Sequence, residues 1–246
     1  NHRGQYIYGT VDGGQFGRKV QISTKGDRYV IASFNGVFVY DHNYGNQQQL
    51  GNTINITSAT SSIFNISPND DCLVIAYSVD NQVFVVEYNN NTNNWDQLGS
   101  TITNPYSDTY TNFGVTCALV WQRKQLYVPS DQYIHIYTYS EGNNSWTLSE
   151  TFQTSMGLSV TAQIKTSKSG NEIILSDPSS YTFSKGLVKL FRKVNGSWGD
   201  YGTNNQYIGG LIWYTGIDIS ISNDGKTIAF SSPNSEFGDL VDNGRV

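Results

Sequence analysis

The chain has 246 residues and a net charge of -5, from 15 Lys+Arg against 20 Asp+Glu, with no basic run able to neutralise a phosphate backbone. Nucleic acid is therefore excluded as a partner class, and no stretch of about 18 apolar residues is present to insert into a membrane as a helix. Charged residues make up only 14% of the chain, so Asn, Ser, Thr, Gly and Tyr fill the polar positions.

Residues 1–9, "NHRGQYIYG", read as a fourth strand without its blade. From there the chain repeats itself with a period of roughly 45 to 55 residues, the range of propeller blades. The repeats span about residues 10–54, 55–102, 103–152, 153–208 and 209–246, the last completed by 1–9. Each opens with two short runs alternating apolar and polar residues around a polar turn. These are "QISTKGDRYVIAS" (Gln21 to Ser33), "NISPNDDCLVIAYS" (Asn65 to Ser78), "CALVWQRKQLYVPS" (Cys117 to Ser130), "KTSKSGNEIILSDP" (Lys165 to Pro178) and "SISNDGKTIAFSSP" (Ser220 to Pro233). The first strands end near Ser23, Ser67, Ser167 and Ser222, and the degenerate third copy puts Arg123 where two others have Gly26 and Gly170.

A third strand follows in each complete repeat: "GVFVYD" from Gly36, "QVFVVEY" from Gln82, "YIHIYTY" from Tyr133 and "LVKLFRK" from Leu187. The period of two marks half-buried strands. An Asn/Gly-rich turn then leads to a fourth segment, opened in three repeats by Trp95, Trp146 or Trp198. No stretch repeats apolar residues at helical spacing over ten positions, so helices and a parallel sheet are not expected.

Four strands per repeat predict an all-β fold, a single β-propeller domain of four-stranded antiparallel blades. Stacking blades about a channel covers both apolar faces of each sheet. A five-bladed ring closed by the N-terminal strand is favoured, with part of a six- or seven-bladed ring as the alternative. The chain starts at Asn1 rather than Met, and "DLVDNGRV" at the other end reads as a third strand lacking its successor. Both ends point to a piece of something larger.

The acidic turns are read as geometry rather than chemistry. "NDG" at Asn223 to Gly225 occupies a hairpin where Asn, Asp and Gly tolerate positive φ, and the carboxylate drifts along the turn from repeat to repeat. The turn has a superficial likeness to the "SxDxGxTW" box of sialidase-like propellers, but Gly225 follows Asp224 directly and Ile228 stands in place of Trp. Trp95-Asp96 resembles a WD dipeptide without the preceding Gly-His. A Trp once per blade is expected to pack between sheets.

"QFGRKVQIS" (Gln15 to Ser23) and "NFGVTCALV" (Asn112 to Val120) set Phe-Gly at one distance before the end of the first strand, and "YTGIDISIS" keeps Gly216. With "IAFSSP" and "IILSDP", these motifs resemble the FG-GAP repeats of integrin α-subunit-like β-propellers. That resemblance implies adhesion and protein recognition. The family's "DxDxDG" Ca²⁺ loop has no counterpart in the first hairpins, so no cofactor is expected. The weak alternative is a Ca²⁺ site at Glu236, Asp239, Asp242 and Asn243.

No catalytic set is legible. His2, His42 and His135 fall in no metal-binding or nucleophile spacing, and His135, between Ile134 and Ile136, is expected to face solvent or a neighbouring blade. Cys72 and Cys117 lie in strand-like runs and read as buried thiols rather than a disulfide. Five Asn-x-Ser/Thr sequons, at Asn55, Asn65, Asn90, Asn143 and Asn195, match the number chance gives in such a composition, so they permit glycosylation and carry no further weight.

The expected function is therefore that of a non-enzymatic module for protein recognition, adhesion or structural assembly, at an extracellular, virion or cell surface. Its partners would be other proteins or a larger surface assembly. The candidate partner patch is Tyr106, Tyr110, Tyr181, Phe183, Trp213 and Tyr214, with ordinary packing between blades as the competing reading. The competing function is a propeller that binds or cleaves glycans.

Overall fold

The computed structural model describes residues 6–43, 46–56, 65–106, 112–179, 186–201 and 215–233. They form twenty antiparallel strands and one short 3-10 turn. The first blade consists of β1 (Lys19–Ile22), β2 (Arg28–Ala32), β3 (Gly36–Asn43), β4 (Asn46–Gln49) and β5 (Ile54–Asn55). The second has β6 (Asn65–Pro68), β7 (Val74–Val79), β8 (Gln82–Asn89), β9 (Asn94–Gln97) and β10 (Ile102–Thr103). The third has β11 (Ala118–Val120), β12 (Gln125–Ser130), β13 (Tyr133–Ser140) and β14 (Ser145–Gln153). The fourth has β15 (Gln163–Thr166), β16 (Glu172–Asp177), β17 (Leu187–Val194) and β18 (Ser197–Asp200), and β19 (Ile219–Ile221) pairs with β20 (Ile228–Phe230). Residues 6–9 carry no strand, and 1–5 and 234–246, on which closure by the N-terminal strand depends, lie outside the described residues.

The chain forms two compact units, one of residues 1–103 with 139–146 and one of 104–138 with 147–246. In the first, Val30, Ala32, Val37 and Val39 pack against Ile66, Ile75 and Tyr77 of the next sheet, with Leu50 and Trp95 at the margin. In the second, Val115, Tyr127, Ile134 and Ile136 pack against Ile164, Ile173, Leu175 and Phe191. Ile174 and Val188 present the other face of the fourth blade to Ile219, alongside Ile221, Ile228 and Phe230. Face-to-face packing of successive sheets removes both apolar faces from water, the term that drives this assembly.

The first hairpin is one turn used repeatedly. The N–H of Ser23 bonds to the Arg28 carbonyl, that of Asn69 to Val74, that of Ser167 to Glu172 and that of Ser222 to Thr227. The residue three further on has positive φ: Gly26 (73°), Cys72 (59°), Gly170 (68°) and Gly225 (69°). In the second blade the equivalent of Ser23 is thus Asn69 rather than Ser67, and its Oδ1 replaces the serine hydroxyl by accepting from the N–H groups of Leu73 and Val74. The third blade tightens the turn to Trp121–Lys124, and Lys124 (φ 53°), not Arg123, takes the glycine position. Asp224 completes this turn chemistry, accepting from Ser222 Oγ at 2.6 Å and from the Lys226 N–H at 3.1 Å. Those two bonds, the serine first, hold its carboxyl below the usual carboxylate range.

Successive turns are also bonded to each other. The Thr24 N–H donates to the Asp70 carbonyl at 2.8 Å, and the Lys168 N–H donates to the Asn223 carbonyl at 3.0 Å, the same position in two blade pairs. The glycines of the two Phe-Gly pairs and Gly216 of the last repeat share a second conformation. Gly17, Gly114 and Gly216 have φ of 91°, 71° and 86° and donate to the carbonyls of Ala32, Pro129 and Ser231 on the strand that follows.

The fourth segment differs from a simple strand in the first two blades. It breaks at Leu50-Gly51 and Leu98-Gly99, so β4 and β9 pair with one end of the third strand while β5 and β10 pair with the other. The break turns a carbonyl outward, and the next tryptophan takes it: Trp95 Nε1 donates to Leu50 O at 3.1 Å and Trp146 Nε1 to Leu98 O at 2.9 Å. The absent side chains of Gly51 and Gly99 leave the seat, since a Cβ would fall 3.0 Å from Trp95 Nε1 and 2.8 Å from Trp146 Cδ1. In the third blade β14 runs unbroken, and Trp198, stacked on Phe152 at 4.9 Å, buries its Nε1 without a partner. Trp146→Phe is therefore expected to cost about 1 kcal/mol more than Trp198→Phe, because it strands a carbonyl as well as removing the donor. Urea midpoints of the two variants measure the difference.

Cys72 and Cys117 are both free and buried, and burial pushes each thiol up to about 12. They act as small apolar groups.

Candidate functional site

The second unit holds a buried serine–histidine pair. A two-residue turn, Asp131-Gln132, joins β12 to β13 and sets the register Ser130↔Tyr133 and Val128↔His135. Ser130 and His135 then lie diagonally on one face of the hairpin, where side chains of adjacent strands meet. Ser130 Oγ lies 2.7 Å from His135 Nε2, and the other ring nitrogen, Nδ1, lies 3.0 Å from Thr151 Oγ1 on β14. Both Ser130 and His135 are 0% exposed. Of the two placements expected for His135, exposure to solvent is thus excluded, and burial lowers its imidazole to about 4. At neutral pH the ring is uncharged, able to accept a proton at one nitrogen while donating from the other.

Three aromatic rings surround the imidazole: Tyr106 at 5.8 Å, Phe113 at 5.9 Å and Tyr133 at 6.4 Å between centroids. Phe113 is buried, whereas Tyr106 is 45% exposed. Of the six residues expected to meet a partner, Tyr106 alone falls among the described residues, and it stands against His135. Tyr110, Tyr181, Phe183, Trp213 and Tyr214 lie outside them, as do Glu236, Asp239, Asp242 and Asn243. Among the described residues no group of three or more His, Cys, Asp and Glu is placed to hold a metal ion.

The segment from Thr154 to Ala162 packs beside this hairpin. The N–H and Oγ1 of Thr154 both donate to the Gln132 carbonyl, and the Leu158 N–H donates to Asp131 O at 3.0 Å. Asp177, the buried last residue of β16, accepts from the N–H and Oγ of Ser159, both at 2.6 Å, from Thr161 Oγ1 at 3.0 Å and from the Ser179 N–H at 3.0 Å. Lys189, 5% exposed, donates to Thr154 O and Asp200 Oδ2, each at 3.1 Å. These charges hold the loop in place, and buried charges need such partners.

The serine–histidine contact was hidden in the sequence because the two residues are five apart and meet through hairpin register. A readable signal exists in "PSDQYIHI": a serine closing one strand, a two-residue turn and a histidine third in the next strand.

No family model matches the chain, and no curated protein matches it. Solved structures do. The periplasmic gluconolactonase PpgL of Pseudomonas aeruginosa superposes with a TM-score of 0.55 at 14% identity, over 86% of this chain and 55% of that one. A candidate 6-phosphogluconolactonase of Bacteroides fragilis gives 0.56 at 16% identity, over 87% and 63%. The β-propeller domain of Myceliophteria thermophila Cps50 (Swd1) gives 0.59 at 10% identity, over 87% and 66%. The chain spans 53%, 54% and 66% of the length of three of the solved structures it matches. These likenesses establish the fold as an all-β propeller of four-stranded antiparallel blades. They also overturn the expectation of a non-enzymatic recognition, adhesion or assembly module: proteins sharing the fold include a gluconolactonase as well as propellers not named as enzymes. The sequence reading failed there because a scaffold does not fix a function, and motif spacing along the chain misses groups brought together across a hairpin. The present chain belongs to the β-propeller fold.

Proposed function

We propose that the chain hydrolyses cyclic esters of sugar acids, using Ser130 and His135. The observation that carries this reading is the 2.7 Å contact between Ser130 Oγ and His135 Nε2, with Thr151 Oγ1 3.0 Å from Nδ1. With the ring proton on Nδ1 and donated to Thr151, Nε2 is left to accept the Ser130 proton, the arrangement a serine nucleophile requires. Ser130 Oγ attacks the lactone carbonyl carbon and its proton passes to Nε2. The ring C–O bond then breaks, and the departing alkoxide takes that proton. Water cleaves the acyl-Ser130 ester with Nε2 again as the base, releasing the open acid and restoring the serine.

Tyr106, 45% exposed, is the most exposed named neighbour of the buried pair. A polyhydroxylated lactone ring suits an aromatic wall on one face and hydroxyls on the other. The likeness to a periplasmic gluconolactonase is one of fold, and it supports both the substrate class and a location outside the cytoplasm.

The test is proton release from glucono-1,5-lactone and its 6-phosphate in weakly buffered solution. The chain is expected to exceed the spontaneous rate, and Ser130→Ala to lose about 100-fold or more of that excess. Thr151→Val, acting through His135, is expected to lower kcat with KM held. A wild-type rate equal to buffer, or full activity in Ser130→Ala, rejects the proposal.

A further inference from the structure

Three of the five sequon asparagines stand in the turn between the third and fourth strands of three successive blades. Asn90-Asn91-Thr92 lies in the turn between β8 and β9, whereas Asn143-Asn144 and Asn195-Gly196 lie in the turns before β14 and β18, whose first residues, Ser145 and Ser197, complete those sequons. Asn90, Asn143 and Asn195 are all exposed, as are Thr92 and Ser197. The two remaining sequons sit differently. Asn55 is in β5, paired with Gly36, and Asn65 opens β6, paired with Ser78.

We propose that the third-turn asparagines Asn90, Asn143 and Asn195 are a set of N-glycan acceptor sites. These turns are Asn-rich, and all three asparagines stand exposed where the fold can carry a bulky substituent. The turn joining the third strand to the fourth projects from the sheet end, so a glycan on it displaces no packed side chain. Of the three acceptors, Asn195 itself has positive φ, 50°.

In the reaction the Asn Nδ2 attacks C1 of an oligosaccharide carried on a lipid diphosphate. The N–C1 bond forms, the C1–O bond to the diphosphate breaks with its electron pair leaving on the lipid diphosphate, and the amide gives up one proton. A sugar shell at these turns raises the solubility of a surface poor in charge. It also implies passage of the chain through a compartment where that transfer takes place.

The experiment is secretion of the full chain from eukaryotic cells, followed by enzymatic removal of N-glycans in heavy-oxygen water. Each formerly glycosylated Asn becomes a labelled Asp, which peptide mass spectrometry reads site by site. Labelling at Asn90, Asn143 and Asn195 is expected, with the combined Asn90→Gln, Asn143→Gln, Asn195→Gln variant losing its glycan and keeping the melting temperature of the enzymatically deglycosylated chain. Where the triple variant fails to leave the cell, three variants each retaining one turn sequon give occupancy one site at a time. Unlabelled turn asparagines in a folded, secreted chain, or label confined to Asn55 and Asn65, overturn the proposal.

Discussion

Gly186→Ala is expected to unfold the second unit or cost it at least about 3 kcal/mol, a loss at the upper end of single substitutions. Gly186 leads into β17, and a Cβ there would lie on the backbone of Thr215, with the carbonyl carbon 2.7 Å away and the nitrogen and oxygen nearer still. Backbone cannot rotate aside as a side-chain tip can, so relief requires separating β17 from the Thr215-Gly216 step. That step is itself fixed: Gly216 donates to Ser231 O at 2.8 Å and its carbonyl accepts from Ser176 Oγ at 2.8 Å. Gly142 is the control, since a Cβ there would meet no atom within 4 Å and its φ is not positive. Gly142→Ala is expected to leave the urea midpoint unchanged, so a difference between the two alanines isolates the close approach from any general cost of removing glycine.

The second large effect is on stability against pH. His135 has an imidazole lowered to about 4 from an ordinary value of 6.5, through burial. The unfolded chain binds the proton first, so stability is full above about pH 6.5 and falls as the pH is lowered towards 4. A difference of about two and a half pH units, at roughly 1.4 kcal/mol each, amounts to about 3 kcal/mol. Around the ring stand Ser130, Thr151, Tyr106, Phe113 and Tyr133, none of them a carboxylate that would favour the imidazolium. His135→Gln keeps hydrogen-bonding capacity and does not titrate. Its stability is expected to change less than the wild type's between pH 6.5 and 4, and parallel curves from denaturant titrations would contradict the burial.

The blades were legible because a half-buried strand writes its alternation into the sequence, and every third strand begins at the residue its pattern marks: Gly36, Gln82, Tyr133 and Leu187. Turn chemistry was legible where it rests on glycine, as at Gly26, Gly170 and Gly225, and misread where another residue adopts the same φ, as at Cys72 and Lys124. The partner of each tryptophan was not legible, since Trp95 and Trp146 bond carbonyls 45 and 48 residues away. For His135 the sequence left solvent and a neighbouring blade both open, and burial removes the first. Strand alternation assigns it a face, but only sheet stacking and the aromatic ring of Tyr106, Phe113 and Tyr133 make that face interior.

A neutral imidazole bridges two hydroxyls in the second unit, and nitrogen NMR of the His135 ring at successive pH values tests that arrangement most directly. The predicted result is a neutral Nδ1–H tautomer persisting until the pH falls to about 4, with Nε2 losing its hydrogen-bonded shift in Ser130→Ala. Titration near 6.5, or a ring indifferent to Ser130, would contradict it.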